Sequence, residues 1–233
     1  MKLPIEEIIE WDVINWSKSL LFWTKHFPSN LNSDSKILLL GERNGGLTLW
    51  LTLLGYKVIS SDYNGITDRG ISLHEKYKQS DNIEYKKINI YSIPYSENYF
   101  DLIICKSVLG GLKKEIHDKK SRTLQNQKIA VNEIYRTLKP GGKFLGAENM
   151  TGSFFHQFIR KLLKKDKGWR YLDKKDLDHF FGDFSNKSYL KYGFFGTFFN
   201  SKVLNFLFGG LDKILSRILP KKTLYITFFV ITK

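Results

Sequence analysis

"LLLGERNGGLTLWL", residues 38–51, decides how the rest of the chain is read. A short apolar run ends at Gly41, Gly45 and Gly46 follow, and an apolar helical pattern then begins. Strand, glycine turn and helix in this order is the arrangement in which a cofactor sits against backbone N–H groups at a helix N-terminus. The middle glycine of a G-x-G-x-G turn is absent, and Arg43 stands in its place. Two readings follow: a cofactor site with altered chemistry, or an ordinary turn that is rich in glycine.

Working outward, the surrounding pattern alternates strand and helix. Upstream, Ile9, Val13, Trp16, Leu20, Trp23 and Phe27 recur at steps of four and three and predict one helix face, ended by Pro28 and "SNLNSDS". Downstream, "YKVISSD" reads as a second strand, "GISLHEKY" as helix and "IEYKKINIY" as a third strand. "YFDLIICKSVL" is a fourth, and its unbroken apolar run suits a central parallel strand covered on both faces. "LQNQKIAVNEIYRTL" is a helix stopped by "KPGG", and "KFLGAEN" is the fifth strand. The alternation predicts an α/β, doubly wound, mostly parallel sheet that binds its ligand at the carboxyl ends of the strands. One domain is expected over residues 1–233: an N-terminal helical cap (1–34), a cofactor-binding core (35–150), and substrate-cap helices with closing strands (151–233).

Composition bounds the class. A hydrophobic share of 42% and an aromatic share of 15% indicate a folded chain with a real core. Cys105 is the single cysteine, which excludes an internal disulfide and argues against a cysteine-based zinc site. The histidines have no metal-ligand spacing. Acids at the start and the lack of a long apolar run predict a soluble, cytoplasmic protein. The net charge of +14 is uneven, with +4 carried by residues 1–150 and +10 by residues 151–233. Excess lysine serves solubility, or else the C-terminal third meets phosphates, an anionic membrane at its inner face, or nucleic acid.

Asp62 lies 21 positions after Gly41, at the end of the second strand, where a carboxylate can accept both hydroxyls of a ribose. Tyr63 follows it. At the end of the third strand, Asn89 offers a carbonyl to an adenine amine and Ile90 a surface for the base; a plain strand-end turn is the alternative for Asn89.

Together, "ILLLGERNGG", "KVISSDYN", "INIYSIPYSENYFDLIICKSVL" and "EIYRTLKPGGKFL" resemble the class I S-adenosylmethionine-dependent methyltransferases over about Ser35 to Met150. The helix ending in L-K-P-G-G before the fifth strand is the most telling feature, and "TLYITFFVITK" looks like the closing antiparallel strand of that family's seven-stranded sheet. The resemblance implies S-adenosyl-L-methionine as cofactor, with Gly41 and Gly45 lining its methionine part, Asp62 on the ribose, and Asn89 and Ile90 flanking the adenine. Cys105 would lie near the sulfonium. Leu39, Arg43 and Asn89 depart from the family's usual residues. Glu42 and Arg43 together are placed to meet the amino-acid zwitterion, Arg43 through a guanidinium with five donors. A degenerate, non-binding loop is the alternative. A nicotinamide fold wants G-x-G-x-x-G and a P-loop wants G-K-[ST], and "GERNGG" supplies neither.

The acceptor must be read from the C-terminal third. "TGSFFHQFIRKLLKK" puts Phe155, Phe158, Ile159, Leu162 and Leu163 on one side of a basic helix, which serves either as a lid packed on its own domain or as a membrane-surface segment. Val203 to Ile218 forms a second amphipathic helix before the last strand. The segments from "AENMTGSFFHQFIRK" to "ILPKKTLYI" further resemble methyltransferases of bacterial surface-polysaccharide gene clusters, which implies O-methylation of a small molecule or saccharide. A hydroxyl acceptor benefits from a base in reach. Glu148 and His156 are the candidates, with His74 and His117 less well placed. Nucleic-acid (RNA) methylation and a non-catalytic binding protein on the same fold are the rival readings.

Overall fold

The computed structural model describes residues 3–112, 120–162 and 169–233. In chain order these form α1 (Ile5–Ile9), α2 (Val13–Trp16), α3 (Lys18–Thr24), β1 (Ile37–Leu40), α4 (Gly46–Leu53), β2 (Val58–Asp62), α5 (Asp68–Lys76) and β3 (Ile83–Lys87). There follow β4 (Phe100–Lys106), α6 (Lys120–Thr137), β5 (Leu138–Asn149), α7 (Phe154–Leu162), α8 (Lys174–Phe180), β6 (Asn186–Tyr192), α9 (Lys202–Ile218) and β7 (Ile226–Thr232).

The strands make one seven-stranded sheet in the order β3-β2-β1-β4-β5-β7-β6. Its first five members run parallel, and β7 is antiparallel to both β5 and β6. Its central strands are buried on both faces, and the edge strands β3 and β6 are exposed or half-buried. Leu38 and Leu40 point into one apolar cluster with Ile103, Phe144 and Phe229, whereas Ile37 and Leu39 point into the other with Leu102, Trp50 and Phe228. Two-sided burial is why "KILLL" and "DLIIC" are continuous apolar runs without alternation. No helix among the described residues is long and apolar enough to cross a membrane.

Three differences from the sequence reading have physical causes. The single N-terminal helix expected from Ile9 to Phe27 is interrupted, because Glu10 and Asp12 adopt left-handed conformations at φ 71° and 44°. Buried hydrogen bonds from Thr197 and Tyr225 hold the Asp12 carboxylate there. "NKSYLKY" is a strand, β6, whose exposed and half-buried side chains give it no apolar signature at the sheet edge. Finally, α7 packs on its own domain through His156 and Arg160, which bond to the carbonyls of Phe194, Met150 and Thr151, and it leaves Phe154, Phe158 and Leu162 exposed rather than covered. Leu163, Lys164, Lys165 and His117 lie outside the described residues.

Candidate active site

The glycine turn joins β1 to α4. Gly41 and Gly45 have φ of 71° and 72°, a left-handed region that L side chains adopt only with strain. Gly41 also approaches the loop after β4 so closely that a Cβ on it would stand 2.5 Å from Val108 Cγ2. Gly45 is the N-cap of α4. The turn is tied to its neighbours on both sides: the Glu42 N–H donates to the Ser61 carbonyl at 2.9 Å, and the Thr67 N–H donates to the Arg43 carbonyl at 2.9 Å. The His74 Nε2–H donates to the Gly45 carbonyl at 2.9 Å, which leaves Nδ1 to accept from the Tyr85 hydroxyl at 2.9 Å. Burial pushes the His74 pKa below its ordinary 6.5 and favours that neutral form.

Around this turn the parallel register brings the predicted cofactor residues to one edge. Asp62 ends β2, and its Oδ1 accepts the Asn64 N–H at 3.0 Å. Among the described residues its Oδ2 has no partner. Tyr63 is exposed beside it, and Arg43 is exposed with no side-chain partner among the described residues. Asn89 closes a turn after β3 by accepting the Tyr91 N–H at 3.0 Å.

Five predicted residues do something other than expected. Glu42 does not face outward to a cofactor ammonium: its buried Oε2 accepts from the Thr48 N–H at 2.9 Å and the Thr48 hydroxyl at 3.2 Å. It orients the turn from inside, and burial raises its pKa against the pull of Thr48 and Lys106. Ile90 belongs to the apolar core, with only its edge at the surface. Cys105 is fully buried in that core, where burial, then the Glu148 and Glu42 charges, push the thiol pKa well up. Glu148 is fully buried and is not a base facing an acceptor. Its Oε1 accepts the N–H groups of Val108 and Leu109 at 2.7 Å each, and its Oε2 that of Gly110 at 3.3 Å. Desolvation raises its pKa to about 7 against those hydrogen bonds. His156 has both nitrogens engaged: Nε2–H donates to the Phe194 carbonyl at 2.6 Å, and Nδ1 lies 2.8 Å from the Ser153 hydroxyl. Burial lowers its pKa.

Next to the turn, at the ends of β4 and β5, is a cavity of about 750 Å³. Its walls are aromatic: Trp11 and Trp16 from the N-terminal segment, Phe155 from α7, Trp169 and Tyr171, Phe194, Phe195 and Phe198, and Tyr225. Ser107, Asn149, His156 and Arg160 are its polar lining. The Arg160 guanidinium lies 3.6 Å over the Tyr171 ring and donates to the carbonyls of Met150 and Thr151 at 2.8 and 3.0 Å.

Sequence reading missed the groups that shape this cavity. Asp212, the one acid within α9, accepts the N–H groups of Phe194, Phe195 and Gly196 at 3.0, 2.8 and 2.9 Å. Asp12 holds the next residue, Thr197, and burial raises its pKa to about 6. Lys106 ends β4, donates to the Ile9 carbonyl at 2.9 Å and sits 3.7 Å over the Trp11 ring. Burial lowers its pKa to about 8, against the pull of Glu42 and Glu10. A lone acid inside "VLNFLFGGLDKILS" and a lysine closing "DLIIC" were the available signals.

Known proteins share this fold. Residues 38–146 match the family model of the methyltransferase domain. The structure superposes on phosphoethanolamine N-methyltransferase 2 of Haemonchus contortus, solved with S-adenosyl-L-methionine, with a TM-score of 0.62 over 94% of this chain and 52% of that one, at 15% identity. It superposes on geranyl diphosphate C-methyltransferase of Streptomyces coelicolor with a TM-score of 0.60 over 93% of this chain and 79% of that one, at 9% identity.

The chain has the methyltransferase fold.

In sequence it is 28% identical over 155 residues to the ubiquinone/menaquinone biosynthesis C-methyltransferase UbiE of Shewanella sp. (strain W3-18-1). That match covers 60% of this chain and 53% of the relative, so the chain spans about half the length of the curated proteins it resembles. The residues at the turn suit the methyltransferase cofactor: among the described residues, one oxygen of Asp62 and the exposed guanidinium of Arg43 have no partner.

Proposed function

We propose that this chain is an S-adenosylmethionine-dependent methyltransferase acting on a small-molecule acceptor held in the aromatic cavity. The observation that carries the proposal is a shared loop. Val108 packs against Gly41 of the turn, and Ser107 beside it lines the cavity, so the two sites meet across two adjacent residues.

S-adenosylmethionine supplies a methyl group on an already activated sulfonium, so positioning provides much of the rate. Asp62 accepts the ribose hydroxyls, and Arg43 pairs with the methionine carboxylate. Glu148 fixes the loop between cofactor and acceptor by its three N–H contacts, and the aromatic walls exclude water from the reacting atoms. Among the described residues lining the cavity there is no carboxylate and no histidine with a free nitrogen. That favours an acceptor whose own proton is acidic, such as a phenol or enol, with the Arg160 cation nearby for the resulting anion.

O-methylation of a saccharide, including a lipid-linked one destined for a surface polysaccharide, is the second form of this proposal. Sugar rings stack their C–H faces on indoles such as Trp11 and Trp169. Its hydroxyl needs a base, which among the described lining is His156 after release from Phe194.

Incubation with methyl-labelled S-adenosylmethionine and separate lipid, soluble small-molecule (sugar nucleotides included) and nucleic-acid fractions tests the proposal. Label in the lipid or small-molecule fraction is expected. Label in nucleic acid alone would overturn the acceptor class, and no label in any fraction would oppose the enzymatic reading.

A further inference from the structure

The cavity mouth is continuous with an exposed apolar surface that no part of the described chain covers. On α9, Val203, Leu207, Leu211, Ile214 and Ile218 are all exposed, Ile218 by 70%. At about 3.6 residues per turn they form one stripe along the helix, while Asp212 and Ser216 on the opposite side are buried. On α7, Phe154, Phe158 and Leu162 are exposed at steps of four, Phe154 by 83%. The two helices are joined by ring contacts: Phe155 stacks on Phe194, Phe194 meets Phe195, and Phe195 meets Phe208 of α9. Phe155, Phe195 and Phe198 belong to both the exposed surface and the cavity wall.

Charge identifies the occupant. Lys202, Lys213 and Arg217 are exposed and, by helical spacing, line one edge of the α9 stripe; Lys161 is exposed on α7. No exposed acid lies on either helix, since Asp212 is the single acid of α9 and α7 has none. A protein partner or a second copy needs only the apolar stripe. An apolar stripe bordered by cations of one sign, with acids excluded, fits the boundary between acyl chains and anionic headgroups.

We propose that α7 and α9 dock this protein on an anionic membrane surface, with the apolar stripe in the headgroup–acyl boundary and the basic edge on lipid phosphates. Docking sets the mouth of the aromatic cavity against the bilayer, so an amphiphilic acceptor enters from the lipid. The docking does not depend on the methyl-transfer reading, whereas the entry route for the acceptor does.

Sedimentation of the full chain with vesicles tests the docking. Two compositions are compared, phosphatidylcholine alone and an equal mixture with phosphatidylglycerol, at low and high salt. Each basic side chain near an anionic surface contributes roughly fivefold in affinity, so Lys202→Glu with Lys213→Glu and Arg217→Glu should weaken binding to the mixed vesicles by roughly a hundredfold or more. Leu207→Ser with Leu211→Ser and Ile214→Ser should abolish it. Both variants change exposed residues outside the cavity, and both should keep the wild-type melting temperature and affinity for S-adenosylhomocysteine.

Binding of wild type to mixed vesicles at low salt, lost at high salt, supports the docking. Equal binding to both vesicle types, or to neither, would overturn it. So would a wild-type dimer that the serine variant converts to monomer, because the stripe would then belong to a second copy. Loss of S-adenosylhomocysteine binding by wild type would instead strike the methyl-transfer reading and leave the docking intact.

Discussion

The His74 imidazole occupies the space where a side chain on Gly45 would stand, and its Nε2–H donates to the Gly45 carbonyl at 2.9 Å. One residue of α5 therefore fixes both the position and the hydrogen bonding of the cofactor turn. Gly45→Ala should destabilise the chain twice over, by collision with the ring and by a left-handed alanine, the latter costing about 1–2 kcal/mol. In the double variant Gly45→Ala with His74→Ala the collision is gone, so the two single effects should fall short of adding by about 1 kcal/mol or more. Urea unfolding of the four proteins measures this, and strict additivity would show that the ring does not brace the turn.

Glu148 predicts a pH dependence of known sign. Its folded pKa, about 7, lies above the ordinary 4.5. The protonated carboxyl thus contributes stability that is full below pH 4.5 and lost as pH rises through 7. Glu148→Gln keeps an acceptor for Val108 and Leu109 and should lose less stability between pH 5 and pH 8 than wild type does. Glu148→Ala leaves buried N–H groups unpaired at a cost of about 3 kcal/mol, a fall in melting temperature of roughly 6–12 °C. Parallel pH profiles for wild type and Glu148→Gln would contradict this assignment.

Arg43 departs from the family turn, and its role is separable with two ligands. A guanidinium paired with the methionine carboxylate should discriminate between them. Arg43→Ala should weaken S-adenosylhomocysteine binding and leave 5′-methylthioadenosine, which lacks the amino-acid portion, almost unchanged. Equal losses for both in titration calorimetry would mean that Arg43 only supports the loop.

What was legible in the sequence was local. Gly41 and Gly45 with the apolar runs beside them revealed the turn, because a left-handed backbone and a two-sided buried strand each leave a signature within a few residues. The spacing from Gly41 to Asp62 revealed one βαβ unit. The bracing groups were not legible, because each acts across long separations: Glu148 on Leu109 39 residues away, and Asp12 on Thr197 185 residues away. A carboxylate looks the same in sequence whether it faces a substrate or three backbone N–H groups. For that reason the sequence alone marks Glu148 and His156 as bases, although the fold engages both in holding loops. The amphipathic pattern of α7 and α9 was legible, but which side faces the core depended on tertiary contacts.

Titration calorimetry of S-adenosylhomocysteine into wild type and Asp62→Ala tests the central claim most directly. Hydrogen bonds to a charged group contribute about 1.5–3 kcal/mol each. Wild type should therefore bind at a single site, and Asp62→Ala should bind at least about tenfold more weakly with its fold unchanged. No binding of any S-adenosyl compound by wild type at millimolar concentration would contradict the methyltransferase assignment.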